Sequence, residues 1–223
     1  MGLFGLSFNL LLGYMGRLSF GHAAFLGLAA FFSTIAMTAF SLPYFLAAPA
    51  AIALTAVVSA PIGLIAVRLK DIYFALFTLG IATVFEFLAS SLRFFGGADG
   101  ISVPHVTSST NWYYVILVTS FVCVYVIYRI VRSPFGEVIR AIRDNVERTR
   151  HIGVNVTKFM WINWMLASIF AGVAGVLMAP LIGHVGPGLL GVGKSTEVIA
   201  LTLLGGDRYL FRACCRSIFI RFS

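Results

Sequence analysis

Long apolar runs follow one another along this chain, and each is close to the length that a bilayer demands. About 20 mostly apolar residues cross a hydrocarbon core as a helix. Residues 18–40, 43–67, 72–93, 112–131 and 158–182 reach that length, and shorter apolar runs occupy 3–15 and 189–205. Lipid offers no partner to a free N–H or C=O, so each run reads as helix. The expected fold is all-α: a polytopic helical transmembrane protein of about six to seven membrane segments, including short or broken helices. Gly21 and Gly27 interrupt the second run, and Pro61 is expected to kink the third, which begins near Pro43. Composition excludes the alternative. Only 11% of residues are charged and mean hydropathy is +0.97, against about 25% charged residues in soluble domains. Membrane lipid is therefore the first partner.

The placement of Lys and Arg sets the orientation. With 132–157 in the cytoplasm, Arg17, Arg68 and Lys70 also fall inside, and 94–111 falls outside with Arg93 at its edge as its only basic residue. Every short loop obeys the positive-inside bias. The outer loop, FFGGADGISVPHVTSSTNW, suits an ordered but irregular turn. The net charge of +8 belongs to the cytoplasmic face, and no aromatic-interleaved basic patch argues for nucleic acid. Cys123 is mid-run and Cys214 and Cys215 are adjacent, which is neither a disulfide framework nor a metal-ligand spacing. The N-terminus lacks the basic region of a cleavable signal peptide.

The cytoplasmic stretch SPFGEVIRAIRDNVERTRHIGVNVTKF is the wettest part of the chain: seven charges fall in the fourteen residues from Glu137 to Arg150. Ser133–Pro134 predicts a helix start, with Pro at the first helical position. Arg140 with Asp144, Arg143 with Glu147, and Asp144 with Arg148 are spaced to pair along that helix. Val138, Ile142 and Val146 form a narrow apolar stripe on it. The pattern fits a solvated helix that orients the protein, or a docking surface for a cytoplasmic partner.

Four short features carry chemical meaning. GLLGVGKS, Gly188–Ser195, satisfies the phosphate-loop pattern, but that loop works between a strand and a helix of an α/β domain. Here it joins two apolar runs on the outer side, so it reads as a Gly-rich turn. Glu86 is the one acidic residue in mid-run, a candidate proton site or helix–helix partner. GYMGRLSFGHAAFLG places Gly13, Gly16, Ser19, Gly21 and His22 in apolar sequence. Such residues mark close helix packing or a broken helix lining a pathway. Asn155 begins a glycosylation sequon, discounted because its loop is cytoplasmic. No catalytic constellation, metal cluster or cofactor motif emerges, so an enzyme is not expected.

Read in order, NLLLGYMGRLSFGHAAFLGLAAF, DIYFALFTL, GGADGISVP, the SPFGEVIRAIRDNVERTRHIGVNVTKF loop, AGVAGVL and EVIALTLLGG resemble successive blocks of a known family. It is the inner-membrane permeases of branched-chain amino acid ABC transporters, of the M-type subunit. The resemblance covers residues 5–206. It implies a permease transmembrane domain over 1–206, in a bacterial or archaeal cytoplasmic membrane, importing branched-chain or related amino acids. It implies three kinds of partner: a second homologous permease, two cytoplasmic ABC ATPases that hydrolyse the ATP, and a periplasmic or extracellular solute-binding protein. The 132–157 loop would be the coupling element, with Ala141, Arg143, Asp144, Asn145 and Gly153 at its core and the apolar stripe buried in an ATPase groove. The Gly13–His22 block resembles the family's motif near the translocation path. The alternatives are a secondary transporter or channel using Glu86, or a non-functional permease fragment.

Two departures from the family pattern stand out. The first apolar run is short, as if a span began partway through. After the Gly205–Gly206 pair the tail, 207–223, carries Arg208, Arg212, Arg216 and Arg221 instead of a further span. A permitted set of codons read one base later restores the family's Gly-Thr and Gly-Pro pattern there, so a frameshift is the expectation. Sequencing the gene around codon 206 decides it.

Overall fold

The computed structural model describes residues 1–92, 95–103 and 109–205. It is all-α apart from one two-residue strand pair, as expected. The helices are α1 (Gly2–Asn9), α2 (His22–Ala39), α3 (Tyr44–Ala66), α4 (Asp71–Ser91), α5 (Ser109–Val131), α6 (Pro134–Asp144), α7 (Val146–His151), α8 (Val156–Ile182) and α9 (Val192–Gly205). Five of them, α2, α3, α4, α5 and α8, are long and apolar enough to cross a membrane. The first segment and α9 are the two short ones.

α2 and α8 pack against each other at the centre, with α3 beside both and α1 wedged against α8 and α9. Small residues allow this closeness. A Cβ at Gly175 of α8 would stand 2.0 Å from the Leu26 carbonyl oxygen. At Gly63 of α3 it would stand 2.4 Å from the Trp164 ring. Trp164 meets Phe25 and Phe74 edge-on, with centroids 5.4 and 5.6 Å away. α3 runs through both Pro49 and Pro61 as one helix. Its Ser59 and Ala60 carbonyls accept from the indole N–H groups of Trp164 and Trp161.

The described part of the 94–111 loop contributes one strand of a short pair. β1 (Ile101–Ser102) pairs antiparallel with β2 (His184–Val185). Gly100, at φ +71°, passes so close to Val185 that a Cβ would lie 2.3 Å from its carbonyl oxygen. Arg93, residues 104–108 and the whole tail from 206, with Cys214, Cys215 and the four arginines, lie outside the described residues.

Three expectations need correction. The apolar run at 18–40 is not one helix: residues 15–21 are irregular and α2 starts at His22. The reason is local, since Gly16 and Gly21 weaken helix and the carbonyls they free find side-chain partners. The helix expected in the charged 132–157 stretch also breaks. Asn145 adopts φ −161° and caps α7 through its side chain, accepting from the Arg148 N–H at 2.9 Å. Val146 is thereby detached from Val138 and Ile142, so no continuous stripe exists. Last, the apolar face of α6 is Gly136, Ile139 and Ile142, and it is buried in this chain's own core beside Leu10, Tyr14 and Met160. It is not available to a partner. Burying Ile139 and Ile142 contributes roughly 1.5–3 kcal/mol each.

Candidate functional site

The first segment ends inside the bundle, and its end is where the site is built. α1 passes into a π-helical turn, Leu10–Tyr14. Four terminal carbonyls then need partners that lipid cannot supply. Gly16 takes φ +74°, a left-handed helix ending. That turn brings the Arg17 N–H to the Leu11 carbonyl (3.0 Å) and the Gly16 N–H to that of Leu12 (3.2 Å). The Leu10 carbonyl accepts from the Asn163 amide of α8 at 2.8 Å. The Gly13 carbonyl accepts from the Arg143 guanidinium of α6. Of those four, Leu11 and Leu12 are met by backbone and Gly13 by a side chain from a distant element, and Asn163 adds a second such side chain at Leu10.

The far side of the break is held in the same way. The Phe20 N–H donates to the Thr78 hydroxyl of α4 (3.1 Å), and the Ala23 N–H to the Ser195 hydroxyl of α9 (3.1 Å). A Cβ at Gly21 would lie 2.2 Å from the Thr78 carbonyl oxygen. Arg17 donates to the Val67 and Leu69 carbonyls and approaches Asp71 at 3.8 Å. One end of the bundle thus gathers Arg17, the α3–α4 turn with Arg68 and Lys70, and α6, which agrees with the charge-based orientation.

The structure therefore joins two groups of residues that the sequence presents apart. Gly13 and Gly16, at the break, touch Arg143, on the cytoplasmic loop; a Cβ at Gly16 would stand 2.9 Å from the Arg143 Cγ. Ala141, Asp144, Asn145 and Gly153 are exposed on the outer face of α6–α7. The expected charge pairs of Asp144 do not form. Arg140 instead turns back to the Gly136 and Val131 carbonyls (3.2 and 2.9 Å). Thr149 ties α7 to α6 by donating to the Ala141 and Asn145 carbonyls. Gly153 closes α7 at φ +86°, with open space where a side chain would go. Sequence reasoning missed Ile152, which is 73% exposed beside Gly153; a lone isoleucine among charges was the available signal. Asn155 is occupied in capping α8, accepting from the Lys158 N–H at 3.2 Å.

His22 is buried against Phe4, at 5.4 Å between stacked centroids, and its Nε2 is 2.9 Å from the Ser7 hydroxyl. Its Nδ1, both side-chain polar atoms of Asn9 and the Ser19 hydroxyl are buried without hydrogen-bond partners among the described residues. Each such group costs about 1–3 kcal/mol, so the break is a polar and poorly satisfied interior. Glu86 stands apart. It follows Thr78 by eight residues, about 12 Å of helix, and its carboxylate lies over Gly191, where a Cβ would be 2.8 Å from Oε1. The phosphate-loop lookalike opens α9: Ser195 is committed to α2, and Lys194 pairs with Glu197 at 2.7 Å. No metal-ligating cluster exists among the described residues.

Comparison with known proteins places this geometry. The family model described as branched-chain amino acid transport system, permease component, matches residues 1–223. The high-affinity branched-chain amino acid transport system permease protein LivM of Salmonella typhimurium is 26% identical over 234 residues, covering 91% of this chain and 55% of that protein. LivM of Escherichia coli K12 gives the same identity and coverage. The autoinducer 2 import system permease protein LsrC of Photorhabdus laumondii is 28% identical over 99 residues, covering 44% of this chain and 28% of that protein. The chain spans about half the length of the LivM proteins it matches. No solved structure matches.

Proposed function

Because the chain belongs to the branched-chain amino acid transport permease family, we propose that it is a membrane subunit of an ATP-driven importer for branched-chain or related amino acids. It works beside a second permease, two cytoplasmic ABC ATPases and an external solute-binding protein. The ATP chemistry belongs to the ATPases. The family and the LivM relatives support the transport class.

The observation that carries the mechanism is the two-faced α6–α7 unit. Its inner face, Ile139 and Ile142, is seated in the chain's own core. Its outer face presents Ala141, Asp144, Asn145, Ile152 and Gly153. In this reading an ATPase grips the outer face, with Ile152 as the apolar anchor and the charges setting register. Arg143 carries the resulting movement to Gly13 and so to the break at 15–21. The unsatisfied Asn9, Ser19 and His22 groups favour that break as part of the translocation path, with Gly13, Gly16 and Gly21 allowing it to rearrange. Glu86 is assigned no step.

The test is reconstitution with partner permease, ATPases and binding protein in vesicles. Gly153→Val forces a β-branched side chain onto φ +86°. Ile152→Asp removes the anchor. Both should remain in the membrane and lose ATP-driven leucine uptake. Unchanged ATP-driven uptake by both variants sinks the coupling assignment. Uptake that needs no ATPase but collapses in Glu86→Gln replaces the importer by a secondary carrier.

A further inference from the structure

The turn that imitates a phosphate loop leads into a site of another kind. Lys194 and Glu197 stand one turn apart on α9 and border a half-open cavity of about 900 Å³ between α1, α2, α5, α8 and α9. The rest of its wall is mostly apolar: Phe4 and Leu26 are buried in it, and Val124 and Leu177 flank it. That volume falls within the range of small-molecule sites, which combine apolar walls with a few placed polar groups. The cavity lies toward the outer end of the bundle, on the side where α8 ends and α9 begins, away from Arg17 and α6.

The geometry points to a binding site for a free amino acid with an apolar side chain, which the importer reading narrows to a branched aliphatic one. This inference deepens the importer reading and rests on it. The Lys194 ammonium and the Glu197 carboxylate are each other's partner at 2.7 Å, with side chains 32% and 45% exposed. A pair so exposed is worth at most about 1 kcal/mol, so a ligand displaces it at little cost. A zwitterion offers both replacements at once: its carboxylate accepts from Lys194 and its ammonium donates to Glu197. Its side chain then enters the apolar wall. A charged or amide side chain is refused there, because burial without a hydrogen-bond partner costs several kcal/mol. Each methylene that does fit contributes roughly tenfold in discrimination.

The experiment uses the complete chain in nanodiscs and measures leucine binding by equilibrium dialysis. Leucine, isoleucine and valine should bind, and glutamate and lysine should not. Isovalerate and isoamylamine, each carrying one of leucine's two charges, should compete poorly. Lys194→Met and Glu197→Gln should each weaken leucine at least about tenfold, the equivalent of 1.4 kcal/mol. Val124→Trp, which fills the cavity and leaves the pair intact, should do the same. Leucine binding that is indifferent to all three variants overturns the site. So does retention of a zwitterionic phospholipid that depends on Lys194 and Glu197 with no leucine binding, since the cavity is then a lipid seat. ATP-driven uptake by the reconstituted importer without leucine binding to this chain removes this site and leaves the transport reading standing. Leucine binding with no ATP-driven uptake does the reverse.

Discussion

α2 and α5 are both apolar helices of membrane-spanning length, and they live in different solvents. In the apolar core of α2, 72% of residues are buried within the protein; in that of α5, 11% are. The helix richer in large β-branched side chains is the less buried one, the inverse of a soluble domain. α2 carries six alanines with Gly27, Ser33 and Thr34 among its larger apolar residues, while α5 is rich in valine, isoleucine and tyrosine. Lipid tails are as apolar as leucine, so burial brings no transfer gain, and helices associate through close packing and hydrogen bonds. Small residues therefore let α2 approach its neighbours closely, while bulky apolar side chains cover the exposed face of α5. Tyr113 and Tyr114, 63% and 61% exposed at one end of α5, fit an interfacial belt.

The strongest test of that contrast uses glycines. Gly175→Val in α8 drives a side chain into the Leu26 backbone of α2, whereas the helical Gly80 of α4 has nothing within 4 Å of its would-be Cβ. The expected outcome is loss of folded, monodisperse protein for Gly175→Val, since even mild overpacking costs about 1–3 kcal/mol and here backbone must move. Gly80→Val should purify as wild type. Equal behaviour of the two would falsify the division into packed and lipid-facing helices.

Next in size is the link between loop and membrane. Arg143→Ala withdraws a charged donor from the Gly13 carbonyl. The loss should be about 1.5–3 kcal/mol, the usual range for hydrogen bonds to charged groups. It should be local, read as faster amide exchange from Leu12 to Arg17, with α5 unaffected. Arg143→Lys should recover part of the protection. Asn163→Leu removes the partner of the Leu10 carbonyl and should cost about 1 kcal/mol at the same end of the segment. If exchange rises equally in α5 for either variant, the break is not a separate unit.

Much of this was legible in the sequence. Hydropathy located the long helices because length and apolarity are what a bilayer selects. Ser133–Pro134 marks the start of α6, and the Gly13–His22 block reads as either close helix packing or a broken helix. What was not legible depended on distant pairings. Arg143 looks like a solvated partner for Glu147 until α6 is laid against the first segment. Ile142 looks available to a partner for the same reason. Asn145 is one polar residue among many, and nothing local announces that its side chain will end one helix and cap the next. Lys194 matched a nucleotide motif by letter, while its neighbours in space are a carboxylate and apolar side chains.

The smallest effect separates the two solvents most cleanly. Phe31 of α2 is fully buried, and Phe121 of α5 is 73% exposed. The same change to leucine at each position removes the same atoms. In a water-soluble protein the buried site would lose both a transfer term and a packing term. Here the transfer term is near zero at both sites, because the residue moves between protein and hydrocarbon. What remains at Phe31 is lost contact, including the edge-on Phe95 ring 5.5 Å away, and a methyl-sized void at about 1 kcal/mol. At Phe121 lipid chains refill the space, and the change should stay within about 0.5 kcal/mol. Thermal unfolding in nanodiscs should lower the midpoint for Phe31→Leu alone. A larger drop for Phe121→Leu would mean that α5 is covered by protein rather than lipid.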